Sequence, residues 1–176
     1  MKNKEYDFFS SLQELSGIGT RMLEAKADKE GCIKRSVELR SQITDYSYKT
    51  FLPPIEREDI VTLAHELHKF NVLISRLDNA FYENAELYTA LNEYSLLFSS
   101  IFENKLRIDY ESFENTAYIR YSLFEKSYAR QSLQNNEYGF DVKSLIKYVF
   151  FGKIKECFDQ ASKITDEIVK IKIKNS

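Results

Sequence analysis

Apolar residues return along this chain at alternating steps of three and four. The clearest run lies between residues 55 and 83. There Ile60, Leu63, Leu67, Phe70, Ile74, Leu77 and Phe81 fall on one stripe of a helix. Burying seven such side chains is worth roughly 10–20 kcal/mol before entropy, as an upper bound. A second run carries the same period toward the C-terminus: Ile146, Phe150, Ile154, Cys157, Ala161, Ile164, Ile168 and Ile171. Leu87, Leu91, Tyr94, Phe98 and Ile101 form a third stripe, and Phe113, Ala117, Tyr121, Phe124 and Tyr128 a fourth. Ile33, Val37, Ile43, Tyr46 and Thr50 make a weaker one. The opening stretch offers Phe8 or Phe9, Leu12, Leu15, Met22 and Leu23, interrupted by Gly17-Ile18-Gly19.

Breakers fall between these stripes. Gly31 punctuates the first pair of helices. Pro53-Pro54 ends the second, because a residue before proline avoids the α region, and Pro54 suits a helix start. Asn135-Asn136-Glu137-Tyr138-Gly139 is the clearest later turn. The junctions near 83–86 and 107–111 carry no strong breaker. The tail from Ile168 to Lys174 alternates as a strand would, but the helical seam runs through to Ile171 and lysines there complement a helix C-terminus. The pattern predicts an all-α protein of six long helices. They form one domain over 1–176, built as two similar antiparallel three-helix halves, roughly 1–83 and 84–176.

Composition narrows the classes. Five Gly and two Pro among 176 residues are too few for an all-β sandwich or a disordered linker. A balance of 25 basic and 27 acidic residues lacks the positive excess of a nucleic-acid binder. No apolar core follows Met1–Asp7, so no secretory leader is expected. Val149-Phe150-Phe151 is far short of the ~20 apolar residues of a membrane span, so no membrane insertion is expected. Cys32 and Cys157 are isolated, which suits two partly buried thiols in a reducing cytoplasm better than a disulfide or a cysteine-rich zinc site.

Few side chains fall at spacings that carry chemistry. His65 and His68 stand three apart, whereas a zinc-protease helix needs four, and both lie off the main seam. Glu24 and Asp28 stand four apart, which puts two oxygen donors on one helix face. Random placement of 27 acids yields roughly one such pair, so this one alone is no evidence of a metal site. The scattered glycines form no phosphate-cradling loop, and no nucleophile turn is present. Arg107, Arg120 and Arg130 share no obvious face, which predicts solvated helix surface.

The string Phe51-Leu52-Pro53-Pro54-Ile55-Glu56-Arg57-Glu58-Asp59-Ile60, followed by Leu63, Ala64 and Leu67, is a helix end, a proline corner and a new helix with acids in its first turn. It resembles the signature of the PhoU-like proteins, in their divergent branch of phosphate transport regulators, at Phe51, Leu52, Pro54, Arg57, Glu58, Asp59, Ile60 and Leu63. A looser similarity extends to Cys157, Asp159 and Ala161. The resemblance implies a PhoU-like helical bundle that forms dimers or larger oligomers. It also implies regulation of phosphate transport by contact with a phosphate transporter or an associated sensor, and no enzyme. The family holds metal clusters through acids four apart. Here His68, Lys69 and Val72 stand where such acids are expected on the third helix, and Phe151 and Lys155 in the last. Metal binding is therefore expected to be weakened or lost. Glu24, Asp28, Glu58, Asp59 and His68 are the residues left to hold a divalent or iron ion. Two other functions fit the same pattern: a metal-binding helical bundle (a store or a metal-dependent enzyme) and a structural dimerisation module.

Overall fold

The computed structural model describes residues 8–24, 26–49, 56–77, 85–107, 109–135 and 142–175, with backbone course alone for 131–135 and 142–148. Among the described residues, six α-helices follow one another: α1 Phe8–Met22, α2 Lys29–Lys49, α3 Arg57–Ser75, α4 Ala85–Glu103, α5 Tyr110–Asn135 and α6 Val142–Lys174. Among the described residues there is no strand, so the predicted all-α class holds. The alternating tail is helical through Lys174.

The stripes become the core. On α3, Ile60, Leu63, Leu67, Phe70 and Ile74 are buried, and Leu77 follows just beyond the helix end; Phe81 lies outside the described residues. On α4 all five predicted positions are buried, as are six of the eight on α6, from Ile154 to Ile171. Phe150 is only half-buried and its neighbour Phe151 turns inward instead, while Ile146 lies where only the backbone course is described. On α5, Phe113, Ala117 and Phe124 are buried, with Tyr121 and Tyr128 packed at the core edge.

Two expectations need correction. The first helix does not break at Gly17-Ile18-Gly19 but runs through to Met22, and the chain turns before Gly31, which lies inside the first turn of α2. The capping residue there is Asp28, whose Oδ1 accepts the Gly31 N–H at 3.0 Å. On α2 the weak stripe holds in part: Ile43 is buried and Ile33 and Tyr46 pack against the core, whereas Val37 is exposed and Thr50 lies outside the described residues. The buried face is Ser36, Leu39, Ile43 and Ser47. Half of that face is hydroxyl, which a purely apolar search passes over.

Antiparallel pairs build the bundle. α2 lies along α3, with Ser36 meeting His68 and Asn71 while Arg57 returns to Ser47. α5 runs against α6, with Tyr121 on Asp159 and the Tyr128 ring on Phe151. The packing also crosses the division near residue 84, since α1 lies along α4 and α3 along α6. One continuous core draws residues from all six helices. Its aromatic centre joins α4, α5 and α6. Phe124 stacks on Phe158 at 4.2 Å with rings 9° apart, and Tyr94 meets Phe158 edge-on at 5.9 Å. The Tyr94 hydroxyl donates to the Ala117 carbonyl at 2.6 Å, so this large buried ring leaves no donor unmet.

Candidate functional site

The Arg57-Glu58-Asp59-Ile60 string opens α3 and ties three helices together; Phe51 to Ile55 lie outside the described residues. Arg57 Nε donates to the Ser47 carbonyl at 2.7 Å, one of the last four carbonyls of α2 and so without an intrahelical donor. The same guanidinium sits 5.4 Å from the Tyr48 ring centre. Asp59 is buried, and the Lys174 ammonium reaches its two carboxylate oxygens at 3.1 and 3.0 Å and Glu56 at 3.2 Å. Those carboxylates, Asp59 first, hold the Lys174 ammonium above the ordinary lysine range. Glu58 faces solvent, whereas Ile60, Leu63, Ala64 and Leu67 point into the core.

The five metal-candidate residues are not brought together as one centre. Glu24 and Asp28 are exposed, and Asp28 serves as the α2 cap. Asp59 is paired with Lys174, and Glu58 is exposed. His68 is half-buried between α2 and α3, its Nδ1 2.9 Å from Ser36 Oγ, while His65 is exposed. Among the described residues, no three of His, Cys, Asp and Glu stand close enough to hold an ion. Phe151 and Lys155 also have structural partners: Phe151 packs on Tyr128, and Lys155 Nζ lies 2.6 Å from Asp159 Oδ2. Cys157 is buried and Cys32 half-buried, both free; burial pushes the Cys157 thiol up to about 12.

Two polar clusters escaped the sequence because they occupy positions where periodicity leads one to expect grease. The first joins α1, α2, α3 and α4. Asn71 Nδ2 donates to the Leu15 carbonyl at 2.9 Å and to Ser36 Oγ at 3.1 Å. Ser95 Oγ donates to the Ser16 carbonyl at 2.8 Å and accepts the Thr20 N–H at 2.9 Å. Its hydroxyl thus sits between the two ends of one rung of the α1 ladder. Such an approach needs a bare backbone, and Gly19 supplies it. A methyl group there would stand 2.9 Å from Ser95 Oγ and 3.0 Å from Ile74 Cδ1.

The same group of residues holds His68. Ser36 Oγ accepts from Asn71 and stands 2.9 Å from His68 Nδ1, where it can donate to a ring protonated at Nε2 or use its second lone pair to accept from one protonated at Nδ1. Burial, then Arg40 and His65, lower the basicity of His68.

The second cluster joins α3 to α6. Glu66 is buried and accepts Gln160 Nε2 at 2.6 Å and Lys163 Nζ at 2.8 Å, while the same amide also reaches the Glu66 carbonyl at 3.0 Å. Burial alone would raise the Glu66 carboxyl. The Gln160 and Lys163 donors outweigh it and hold the group below the ordinary range.

A groove of about 410 Å³ between α4 and α5 is lined by Ala85, Leu87, Ala90, Leu123 and Phe124 with Glu86, Thr89, Glu93 and Ser127. Glu93 bridges its two walls to Arg120 at 3.1 Å. Large apolar side chains stand exposed on the same two helices: Leu96 at 50%, Ile119 at 56%, Leu123 at 51% and Tyr118 at 71%. Of these, Leu123 lines the groove. Comparison of the chain with protein-family models, with curated proteins and with solved structures found no match.

Proposed function

We propose that this chain is a PhoU-like regulatory protein that controls phosphate uptake in the cytoplasm by contact with a phosphate transporter or its associated sensor, as a homo-oligomer. The reading rests on one observation. The Arg57-Glu58-Asp59-Ile60 part of the string that carries the resemblance opens α3, where Arg57 clasps the end of α2 and Asp59 the end of α6. A residue set chosen for such a corner has a physical reason to recur in a family of this architecture. The exposed apolar residues of α4 and α5 favour action by surface contact, and the reading needs no bound metal. Deletion of the gene tests it. Radiolabelled phosphate uptake or phosphate-responsive expression should change, and be restored by the intact chain. Unchanged values of both would overturn the reading.

A further inference from the structure

We propose that Arg40, His65 and His68 form a surface site for a tetrahedral oxyanion, a free phosphate or a phosphate monoester, in the seam between α2 and α3. The register of the two helices places these residues together. Ser36 on α2 meets His68 on α3 at 2.9 Å, and Ser47 further along α2 meets Arg57 at the start of α3. The pair is therefore antiparallel. Arg40 lies one turn on from Ser36, and so beside the turn of α3 that precedes His68 and carries His65. Arg40 is half-buried and has no ion pair among the described residues. Its planar fork of donors suits two oxygens of one anion. His68 turns Nδ1 to Ser36 and leaves Nε2 for a ligand. An anion there favours the ring protonated at Nε2, the form to which Ser36 donates. His65 is exposed, and so is Lys69 one turn beyond it. No acid offsets these groups locally. The positions three and four away from Arg40, His65 and His68 hold none, in a chain with 27. The acids nearest in sequence are engaged elsewhere: Glu38 with Arg35, and Glu66 with Gln160 and Lys163. Arg40 and His65 already act on His68, where after burial they lower its basicity. Positive surroundings of this kind repel a metal ion and attract an anion. The site goes beyond the regulatory reading and does not depend on it.

The test follows the His65 and His68 ring signals of the full chain by nuclear magnetic resonance at fixed pH. The chain is titrated with sodium phosphate, with phenyl phosphate and, as a control for screening, with sodium chloride at equal ionic strength. Phosphate or phenyl phosphate should shift both rings along one saturating curve, and chloride should not. A tighter curve for phosphate assigns the free ion and a tighter one for phenyl phosphate the ester; either supports the site. Arg40→Gln should weaken binding about tenfold, since it removes charge-assisted hydrogen bonds to the anion. Lys34→Gln, an exposed charge on another face of α2, should change it less than about twofold. Equal shifts with chloride, shifts that never saturate, or equal losses in the two variants overturn the proposal. Should Arg40→Gln lose helicity by circular dichroism, His65→Gln decides through the His68 signal: weakening of about threefold supports the site, and unchanged binding overturns it. Saturable binding alongside unchanged phosphate uptake on deletion removes the regulatory reading alone; altered uptake without binding removes the site alone.

Discussion

At Gly19 a single methyl group decides how closely α1 can approach α4. Adding it forces Ser95 Oγ from its place between the Ser16 carbonyl and the Thr20 N–H. Gly19→Ala should therefore lower stability by about 1–2 kcal/mol, after the gain of about 1 kcal/mol in helix propensity, as a shift in thermal midpoint. Gly17-Ile18-Gly19 looked like a break because glycine is a poor helix former. The sequence cannot tell that penalty from a requirement for contact with a helix that follows much later in the chain. His68 was legible as off the seam but not as a bonded group, since its partner Ser36 lies on another helix. Its folded form disfavours the proton, so its contribution is complete above the ordinary value of 6.5 and declines as pH falls below it. Urea unfolding of the wild type should show this decline between about pH 7.5 and 5.5, where histidine titrates. His68→Asn, which keeps a hydrogen-bonding amide toward Ser36 but cannot titrate, should flatten that part of the curve.

Helix ends and helix faces carry their own predictions. α4 stops at Glu103 without a glycine. Leu106 N–H bonds the Ile101 carbonyl and Lys105 N–H the Phe102 carbonyl, each at 3.0 Å, with Lys105 at φ 52° and Leu106 at φ 59°. Left-handed backbone strains a residue with a Cβ by roughly 1–2 kcal/mol. Lys105→Gly should raise stability by about 0.5–1 kcal/mol, once glycine's greater freedom in the unfolded chain is subtracted. This junction read as soft because nothing in its residue types announces the turn. Between α3 and α6 the ionic cluster behaves differently from grease. Gln160→Leu should cost about 1–3 kcal/mol in denaturant unfolding by leaving Glu66 short of a donor in the interior. Replacing both, Glu66→Leu with Gln160→Leu, should recover much of that loss. The apolar stripes of α3, α4 and α6 were readable because burial there is one-sided and continuous. Ser36, Asn71, Ser95 and Glu66 were not, because a buried polar group is recognised only by the partner that satisfies it.

Across the described molecule, the all-α class and the position of each helix followed from the stripes, whereas the pairing of α1 with α4 and α3 with α6 had no local signature. That pairing predicts cooperative behaviour. Residues 1–83 alone would expose the faces of α1 and α3 that α4 and α6 cover, and the fragment should show little fixed near-ultraviolet dichroism. The intact chain should lose near- and far-ultraviolet signals in one transition. The candidate site was legible only as a corner of residue types; Arg57 and Asp59 were visible, but their contacts on α2 and α6 were not. The Ser95 hydroxyl that holds the Thr20 N–H comes from 75 residues along the chain. Exchange of that one amide with deuterium therefore does not report fraying of α1. It reports the parting of two helices, and a site-resolved measurement at Thr20 would clock how often the bundle breathes open along that seam.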